Sequence, residues 1–252
     1  MKFMSFNLRL DIEWDGINSF TNRFSRVIEV IKNEAPDVIG FQEVTDSMRS
    51  RLRNELDGYT TVGCGREKNY HGESMLIAYR TDLFELISCE NVWLSATPKI
   101  PGSTYGGDQS QCPRMYTSVL LKHEKTEKPF RFINTHLDHV GEQARYLGSM
   151  QLVQAISGYE EKFVLTGDFN ATPNTPEIKL ITSALSARNV VDCTKDLCPT
   201  FHNFGRLSKE EMVKIDYIFT DGKCKRAYEV EDTPVNGQYY SDHFAVCAEI
   251  EL

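Results

Sequence analysis

The feature that most constrains this chain is a repeated switch between period-two and period-3.6 apolar patterns. In the opening KFMSFNLR, Phe3, Ser5 and Asn7 fall on one face and Met4, Phe6 and Leu8 on the other, as in a strand. Phe24, Val27, Ile28 and Ile31 then stand at i, i+3, i+4 and i+7, which predicts a helix over 22–34, ended by Pro36. DVIGFQEV reads as a short buried strand, and Thr45 or Asp46 as the cap of a helix with Met48, Leu52 and Leu56 on one stripe. Strand-like runs follow at 75–79, 85–88, 116–122 and 131–137, then a helix over 142–157 expected to bury Tyr146, Met150, Val153 and Ile156. FVLTGD is another strand. Thr175 and Pro176 open a helix carrying Ile178, Ile181 and Leu185, and strands are expected near 189–191, 214–219, 226–230 and 244–251. Such alternation requires helices packed on sheet faces, which is an α/β domain.

No internal repeat, low-complexity tract or linker breaks the pattern, so residues 1–252 are expected to form a single domain. The longest stretch without a pattern, 95–114, has a length usually associated with function or mobility. No run of about 18 apolar residues is present, and MKFMSFNLRL is too short and polar for a signal peptide. The seven cysteines are scattered, odd in number and without a CxxC pair, which suggests free thiols rather than a zinc site or disulfide framework. A cytoplasmic monomer, away from membranes, is the expectation; export would require a leader ahead of this numbering. The net charge of −8 weighs against non-specific binding to long nucleic acid and suits a short or small phosphorylated substrate.

Polar residues recur where the predicted strands end. Asn7 closes the first, Glu43 the second, His136 the 131–137 run with Asp138 and His139 behind it, and Asp168 and Asn170 follow FVLT. Asp216 stands in KIDYIF, where an unpaired carboxylate would be costly, and Asp242-His243 precedes the final strand. Any one of these has an ordinary explanation as a turn former or strand-end polar group. Together they supply what hydrolysis of a phosphate ester needs. Glu43, Asp242 and the amide oxygens of Asn7 and Asn170 suit Mg²⁺, a hard cation that takes oxygen ligands; Mn²⁺ also accepts such a site. Asp168 can orient or deprotonate a water, His136 and His243 can hold phosphate oxygens, and Asp216 can orient His243.

The ordered set FNLR, QEV, THLDH, GDFN, IDYIF and SDHFAV resembles the endonuclease/exonuclease/phosphatase superfamily, from Phe6 to Val246. That superfamily includes deoxyribonuclease I, apurinic endonucleases, inositol polyphosphate 5-phosphatases, neutral sphingomyelinases and deadenylases. The resemblance implies a four-layer α/β sandwich, two mixed β-sheets packed face to face with helices outside, and Mg²⁺-dependent attack of water on a phosphoester. It also implies roles: Glu43 as principal metal ligand with Asn7 and Asp242 beside it, and Asp168 and Asn170 positioning the nucleophile and scissile phosphate. His136 would bind phosphate, His243 would be the essential terminal histidine, and Asp216 would support it.

WLSATPKIPGS, CPRMYT and THLDHVGEQAR are similar to a bacterial group related to the deadenylase-type nucleases. On that likeness Arg114 and Arg145 are candidates to face the substrate phosphate, with a helix-surface salt bridge the alternative for Arg145. Asp138 and His139 are candidates to line the site, and Arg66, in the polar loop GREKNYHGES, to bind substrate. Tyr105, His202 and Phe204 are stacking candidates, with core or surface roles the commoner outcome. The leading expectation is a phosphodiesterase acting on a nucleic-acid or small phosphorylated substrate. The alternatives are a phosphomonoesterase on a sugar, inositol or lipid-headgroup phosphate, and an inactive binding module. No GxSxG elbow or nucleophilic-cysteine motif supports a serine or cysteine hydrolase.

Overall fold

Alternation in β1 (Lys2–Asn7) decides the layering. Met4 and Phe6 pack with Phe24, Val27 and Ile31 of α1 (Phe20–Glu34) and with Met48 and Leu52 of α2 (Asp46–Glu55). Phe3, on the other face, meets Phe130, Phe132, Val164 and Ile218 from the opposite sheet. A further cluster joins Ile133, Leu165 and Phe219 to Leu152 and Ile156 of α3 (Glu142–Ser157) and Ile178 and Ile181 of α4 (Pro176–Ala184). These clusters separate helices, sheet, sheet and helices into the expected four-layer sandwich. Each large apolar side chain buried in them contributes roughly 1.5–3 kcal/mol.

The computed structural model describes all 252 residues. Besides β1, the strands are β2 (Val38–Val44), β3 (Tyr59–Val62), β4 (Ser74–Arg80), β5 (Phe84–Trp93), β6 (Met115–His123), β7 (Pro129–His136), β8 (Lys162–Asp168), β9 (Val191–Asp192), β10 (Asp216–Thr220), β11 (Lys223–Glu229) and β12 (Val246–Glu251). One six-stranded sheet runs β11-β12-β1-β2-β4-β3 and the other β5-β6-β7-β8-β10-β9. Each contains a parallel pair, β1 with β2 and β7 with β8, joined by a crossover helix and flanked by antiparallel strands. The C-terminal ends of both parallel pairs therefore lie together, and the polar residues of the site are carried there.

The layer between the sheets changes from apolar to polar toward that end. Gln42 Nε2 donates to Asn134 Oδ1 (2.6 Å) and Ser5 Oγ (3.2 Å), and Asn134 Nδ2 donates to the Phe41 (2.7 Å) and Leu76 (3.1 Å) carbonyls. Gly40 allows this approach: a Cβ there would lie 2.3 Å from Thr166 Oγ1 and 2.6 Å from Asn134 Oδ1.

Several local expectations need correction. Tyr146 and Met150 are exposed rather than buried, and only Ile156 of the proposed stripe is fully buried, with Val153 partly so. The buried face of α3 is instead Ala144, Arg145, Gly148, Ser149, Leu152 and Ile156. Small residues bring the helix close, such that a Cβ on Gly148 would sit 3.2 Å from Leu137 Cδ2. Thr45 and Thr175 occupy the cap positions without a side-chain capping bond. The half-buried edge strand β3 had no expected counterpart.

Candidate active site

The strand ends deliver their side chains into one cluster. Asn7 ends β1, His136 ends β7 directly opposite Asp168 at the end of β8, and Asp216 begins the antiparallel β10, paired with Asp168 from the other side. Asp242 and His243 arrive just ahead of β12. Glu43 needs a distortion: the β2–β4 register shifts between Phe41 and Val44, and Glu43 takes φ 61°. A bulge of this kind re-aims a side chain, and left-handed backbone costs a non-glycine residue roughly 1–2 kcal/mol. Asn170 (φ 48°) and Arg9 (φ 52°) share that region, and Asn is among the residues that tolerate it best.

Asn7 Nδ2 lies between two carboxylates, donating to Glu43 Oε1 (3.2 Å) and Asp168 Oδ2 (3.0 Å), while its Oδ1 accepts from the Arg9 amide (2.8 Å). Glu43 Oε2 accepts from the Leu10 amide (3.0 Å). Arg9 Nε is 3.1 Å from Asp15 and 3.8 Å from Asp242. Burial, followed by the charge of Asp216, raises Asp168 to about 7. Burial and the nearby Glu43 also raise Asp242. This half of the site therefore holds more buried negative charge than its protein partners balance.

His243 and Asp216 form the opposite wall. Asp216 Oδ2 is 2.8 Å from Nδ1, and Nε2 faces Asp168 Oδ2 (3.9 Å) and Asp242 Oδ1 (4.0 Å). Burial disfavours the charged imidazole, but Asp216, Asp242 and Asp168 outweigh it and raise His243 to about 10, so it is an imidazolium at neutral pH. Ligand atoms of Asp168, Asp216 and His243 lie within 4.8 Å of one another. Because Asp216 already takes Nδ1 of a charged ring, that trio is better arranged for proton handling than for holding a cation. Oxygen atoms that could hold a divalent cation come instead from Glu43 and Asp242, with Asp168 adjoining; Asn7 would join them only after turning its amide, since Nδ2 faces Glu43 and Asp168 and Oδ1 the Arg9 amide. The Asn7 amide now places its N–H group where positive charge is wanted.

On the third side, Asn170 donates its main-chain N–H to Asp168 Oδ1 (2.8 Å), and its Nδ2 reaches His136 Nε2 (2.9 Å) and the Leu137 carbonyl (3.1 Å). His136 Nδ1 is buried without a partner. Burial, with the nearby Arg114 and Arg66 charges, holds His136 well below the usual histidine range, so it is neutral.

The remaining substrate candidates divide. Arg66 and Arg114 are buried guanidiniums bordering His136; Arg66 Nη2 pairs with Glu73 (2.5 Å), and Arg114 Nη2 lies 2.7 Å from His139 Nδ1. Asp138 and Arg145 are engaged within the protein. Asp138 accepts from the Ser110, Val140 and Gly141 amides, Ser110 Oγ and Arg114 Nε, which fills its lone pairs and holds it well below the usual carboxylate range. It anchors the 106–114 loop to the start of α3. Arg145 Nε pairs with Glu177 (3.0 Å) and Nη1 donates to the Asp138 carbonyl (3.1 Å), a salt bridge as in the alternative raised for it, but buried rather than on the helix surface. Tyr105 hydrogen-bonds Gln151 and Leu147, His202 stacks on Phe244 and Phe204 is buried, so all three take the commoner role.

Sequence reasoning passed over Arg9, Arg23, Gln42 and Asn134. Arg23 carried a usable signal: a charged residue inside the apolar stripe of Phe20, Phe24, Val27 and Ile31.

The model of the endonuclease/exonuclease/phosphatase family matches residues 4–243. The chain is 32% identical to the solved endonuclease/exonuclease/phosphatase from Bacteroides vulgatus, with a TM-score of 0.92 over 100% of this chain and 98% of that one. It is 26% identical to the mannosyl-6-phosphatase of Bacteroides thetaiotaomicron VPI-5482, with a TM-score of 0.89 over 100% of both chains. Against D. rerio TDP2 complexed with single-strand DNA product the TM-score is 0.79 over 100% of this chain and 99% of that one; at 14% identity this likeness shows the fold alone.

Proposed function

The chain belongs to the endonuclease/exonuclease/phosphatase family, and from that premise we propose that it hydrolyses a small phosphate ester, most simply a sugar phosphate, with a divalent cation assisting. The observation that carries this reading is the placement of Asp168. Its Oδ2 lies 3.6 Å from His136 Nε2 and 3.9 Å from His243 Nε2, and receives Asn7 Nδ2 at 3.0 Å. A water bound to that oxygen would be ringed by groups suited to a phosphoryl group.

Asp168 orients the water and accepts its proton as the water oxygen bonds to phosphorus and the bond to the leaving oxygen breaks, the leaving oxygen departing as the alcohol on taking a proton from solvent. To hold non-bridging oxygens, Asn170 must release His136 Nε2, which now accepts from Asn170 Nδ2, and His136 must carry its proton on Nε2; the His243 imidazolium, fixed by Asp216, opposes charge developing on the phosphoryl oxygens. Glu43, Asn7 and Asp242 would hold the cation, Mg²⁺ or Mn²⁺, which when bound withdraws charge from the phosphate.

The substrate side supports a monoester over the diester expected from the motifs. A monoester carries more negative charge than a diester, and the buried Arg66 and Arg114 border the phosphate wall formed by His136. The 26%-identical mannosyl-6-phosphatase points the same way. One observation favours the diester: Tyr70, half-exposed in the loop that carries Arg66, offers a face on which a base could stack. All seven cysteines are free thiols, which supports a reducing, cytoplasmic setting. No helix is long and apolar enough to cross a membrane.

The test is a mixed panel of sugar phosphates, inositol phosphates, dinucleotides, oligo(A) and DNA, incubated with Mg²⁺ and with EDTA and read by mass spectrometry. Mg²⁺-dependent phosphate release from sugar monoesters is the expected result. Cleavage confined to oligonucleotides would replace the monoester reading with the diester one.

A further inference from the structure

Arg23 lies on the buried stripe of α1 with none of its surface exposed. Its hydrogen bonds all go to main-chain carbonyls. Nε donates to Asn18 (2.7 Å), Nη1 to Tyr240 (2.5 Å), and Nη2 to both Leu8 and Arg9 (2.8 Å to the latter). Those acceptors belong to the segments that carry the acidic half of the site. Leu8 and Arg9 directly follow Asn7, and Tyr240 stands two residues before Asp242. A second tie joins the same segments, since Ser241 Oγ donates to the Asn7 carbonyl at 2.6 Å.

We infer that Arg23, with Ser241 Oγ as the second tie, is a positioning residue that holds the Asn7 and Asp242 strand ends in register and so sets the site's affinity for a divalent cation. The inference rests on the reading that Asn7, Glu43 and Asp242 hold that cation. β1 and β12 are hydrogen-bonded neighbours only as far as Ser5 and Val246, so beyond those residues the sheet ladder does not fix the spacing of Asn7 and Asp242. Arg23 replaces the missing ladder. A guanidinium can do so because its donors form a planar fork that reaches several acceptors at once, whereas a lysine offers a point charge on a single nitrogen. Burial pulls the Arg23 guanidinium down to about 10, so it stays charged at neutral pH. Its hydrogen bonds are directed into carbonyl oxygens, so Arg23 itself ties up neither the Glu43 nor the Asp242 carboxylate.

Arg23→Lys separates geometry from charge, because it keeps the charge and removes most of the ties. Arg188→Lys is the control. Arg188 likewise holds main-chain carbonyls, those of Ile156, Tyr159 and Glu161, together with Asp221, none of which lies in the Asn7 or Asp242 segments. Mg²⁺ binding to metal-free protein is measured by titration calorimetry, and Mg²⁺-induced stabilisation by thermal unfolding. Arg23→Lys is expected to weaken Mg²⁺ binding by ~10–100-fold, as loss of outer-shell support does in other metal sites. Its Mg²⁺-induced rise in Tm should shrink accordingly, while Arg188→Lys retains wild-type affinity. A folded Arg23→Lys protein with a lower metal-free Tm and unchanged Mg²⁺ affinity would overturn the inference and leave Arg23 a merely structural brace. If Arg23→Lys does not fold, Ser241→Ala decides: weakened Mg²⁺ binding supports the inference and unchanged binding overturns it. Wild-type protein that binds neither Mg²⁺ nor Mn²⁺ would instead defeat the metal reading itself.

Discussion

Replacing Asp168 by asparagine should abolish turnover and, with metal chelated, make the fold more stable. Asp168 is raised from its ordinary 3.8 to about 7, first by burial and then by Asp216. A carboxyl group raised on folding binds its proton more tightly in the native state, so stability is highest at low pH. It is lost as pH climbs from the unfolded value through the folded one, here between roughly 4 and 7. At about 1.4 kcal/mol per unit, the buried charge destabilises the metal-free protein by up to about 4 kcal/mol at pH 8. Asparagine removes that charge but not all of its benefit survives. It keeps one oxygen for the Asn170 amide, loses the bond from Asn7 Nδ2 at about 1 kcal/mol and gives up attraction to the His243 imidazolium. The net gain expected at pH 8 is about 1–3 kcal/mol. Urea denaturation in EDTA at pH 5 and pH 8 measures it, with Mg²⁺ added in a parallel series. Wild type should weaken markedly between those values and Asp168→Asn less so. Some decline remains in both, because His243, raised to about 10, also contributes stability that fades above its unfolded value near 6.5. Mg²⁺ should stabilise wild type more than the variant. An Asp168→Asn protein no more stable than wild type at pH 8 in EDTA, or with the same dependence on pH, would show that the acidic cluster is not strained by its own charge.

Other perturbations test separate parts of the structure. Glu43→Gly and Glu43→Gln should both be inactive, but the glycine variant should be the more stable by about 1 kcal/mol in chemical denaturation, because φ 61° is free only for glycine. Gly40→Ala should destabilise by about 3 kcal/mol or more, since its Cβ would meet Thr166 and Asn134 at under 3 Å; Thr166→Ala in the same chain should recover part of that loss. Burial lowers His202 to about 4, so it contributes stability that is complete above pH 6.5 and lost as pH falls toward 4. His202→Gln should therefore show a shallower acid decline in Tm than wild type.

What could be read from sequence follows from where side-chain period and chemistry coincide. Asn7, Glu43, His136, Asp168 and Asp216 all sit at or within one residue of a strand boundary, where an apolar strand pattern meets a polar residue; each alone could be a turn former or strand-end group, and only the set of them pointed to chemistry. The face of α3 was not legible, because Tyr146, Met150 and Val153 make as good a stripe as the true one. Ala144, Gly148 and Ser149 are buried for closeness of approach, which hydrophobic periodicity does not record. Asp138 looked like a site residue from its place after His136. Its oxygens are filled by Val140 and Gly141 nearby and by Ser110 and Arg114, which are distant in sequence and could not be foreseen as its partners. Arg23 was visible as a charge inside an apolar stripe, but what it holds was not, because its partners are carbonyls, which carry no sequence signal.

The two sheets divide the chemistry between them, and the division explains the strain. β1 and β2, with the residues before β12, bring Asn7, Glu43 and Asp242, whereas β7, β8 and β10 bring His136, Asp168 and Asp216. Neither sheet alone has a complete set, so the site exists only at the depth where the sheets touch. Gly40 and the Gln42–Asn134 hydrogen bond set that depth. Glu43 follows Gln42 directly, so the residue that locks the sheets together is covalently joined to the one forced into left-handed backbone. A straight β2 would keep alternating, sending the side chain after Gln42 to the opposite face, toward α1 and α2. The bulge breaks the alternation at that one residue, allowing Gln42 and Glu43 both to serve the inter-sheet layer. The strained φ at Glu43 is therefore a consequence of building one site from two sheets, and on the proposed reading the carboxylate so placed is one of those that would hold the cation.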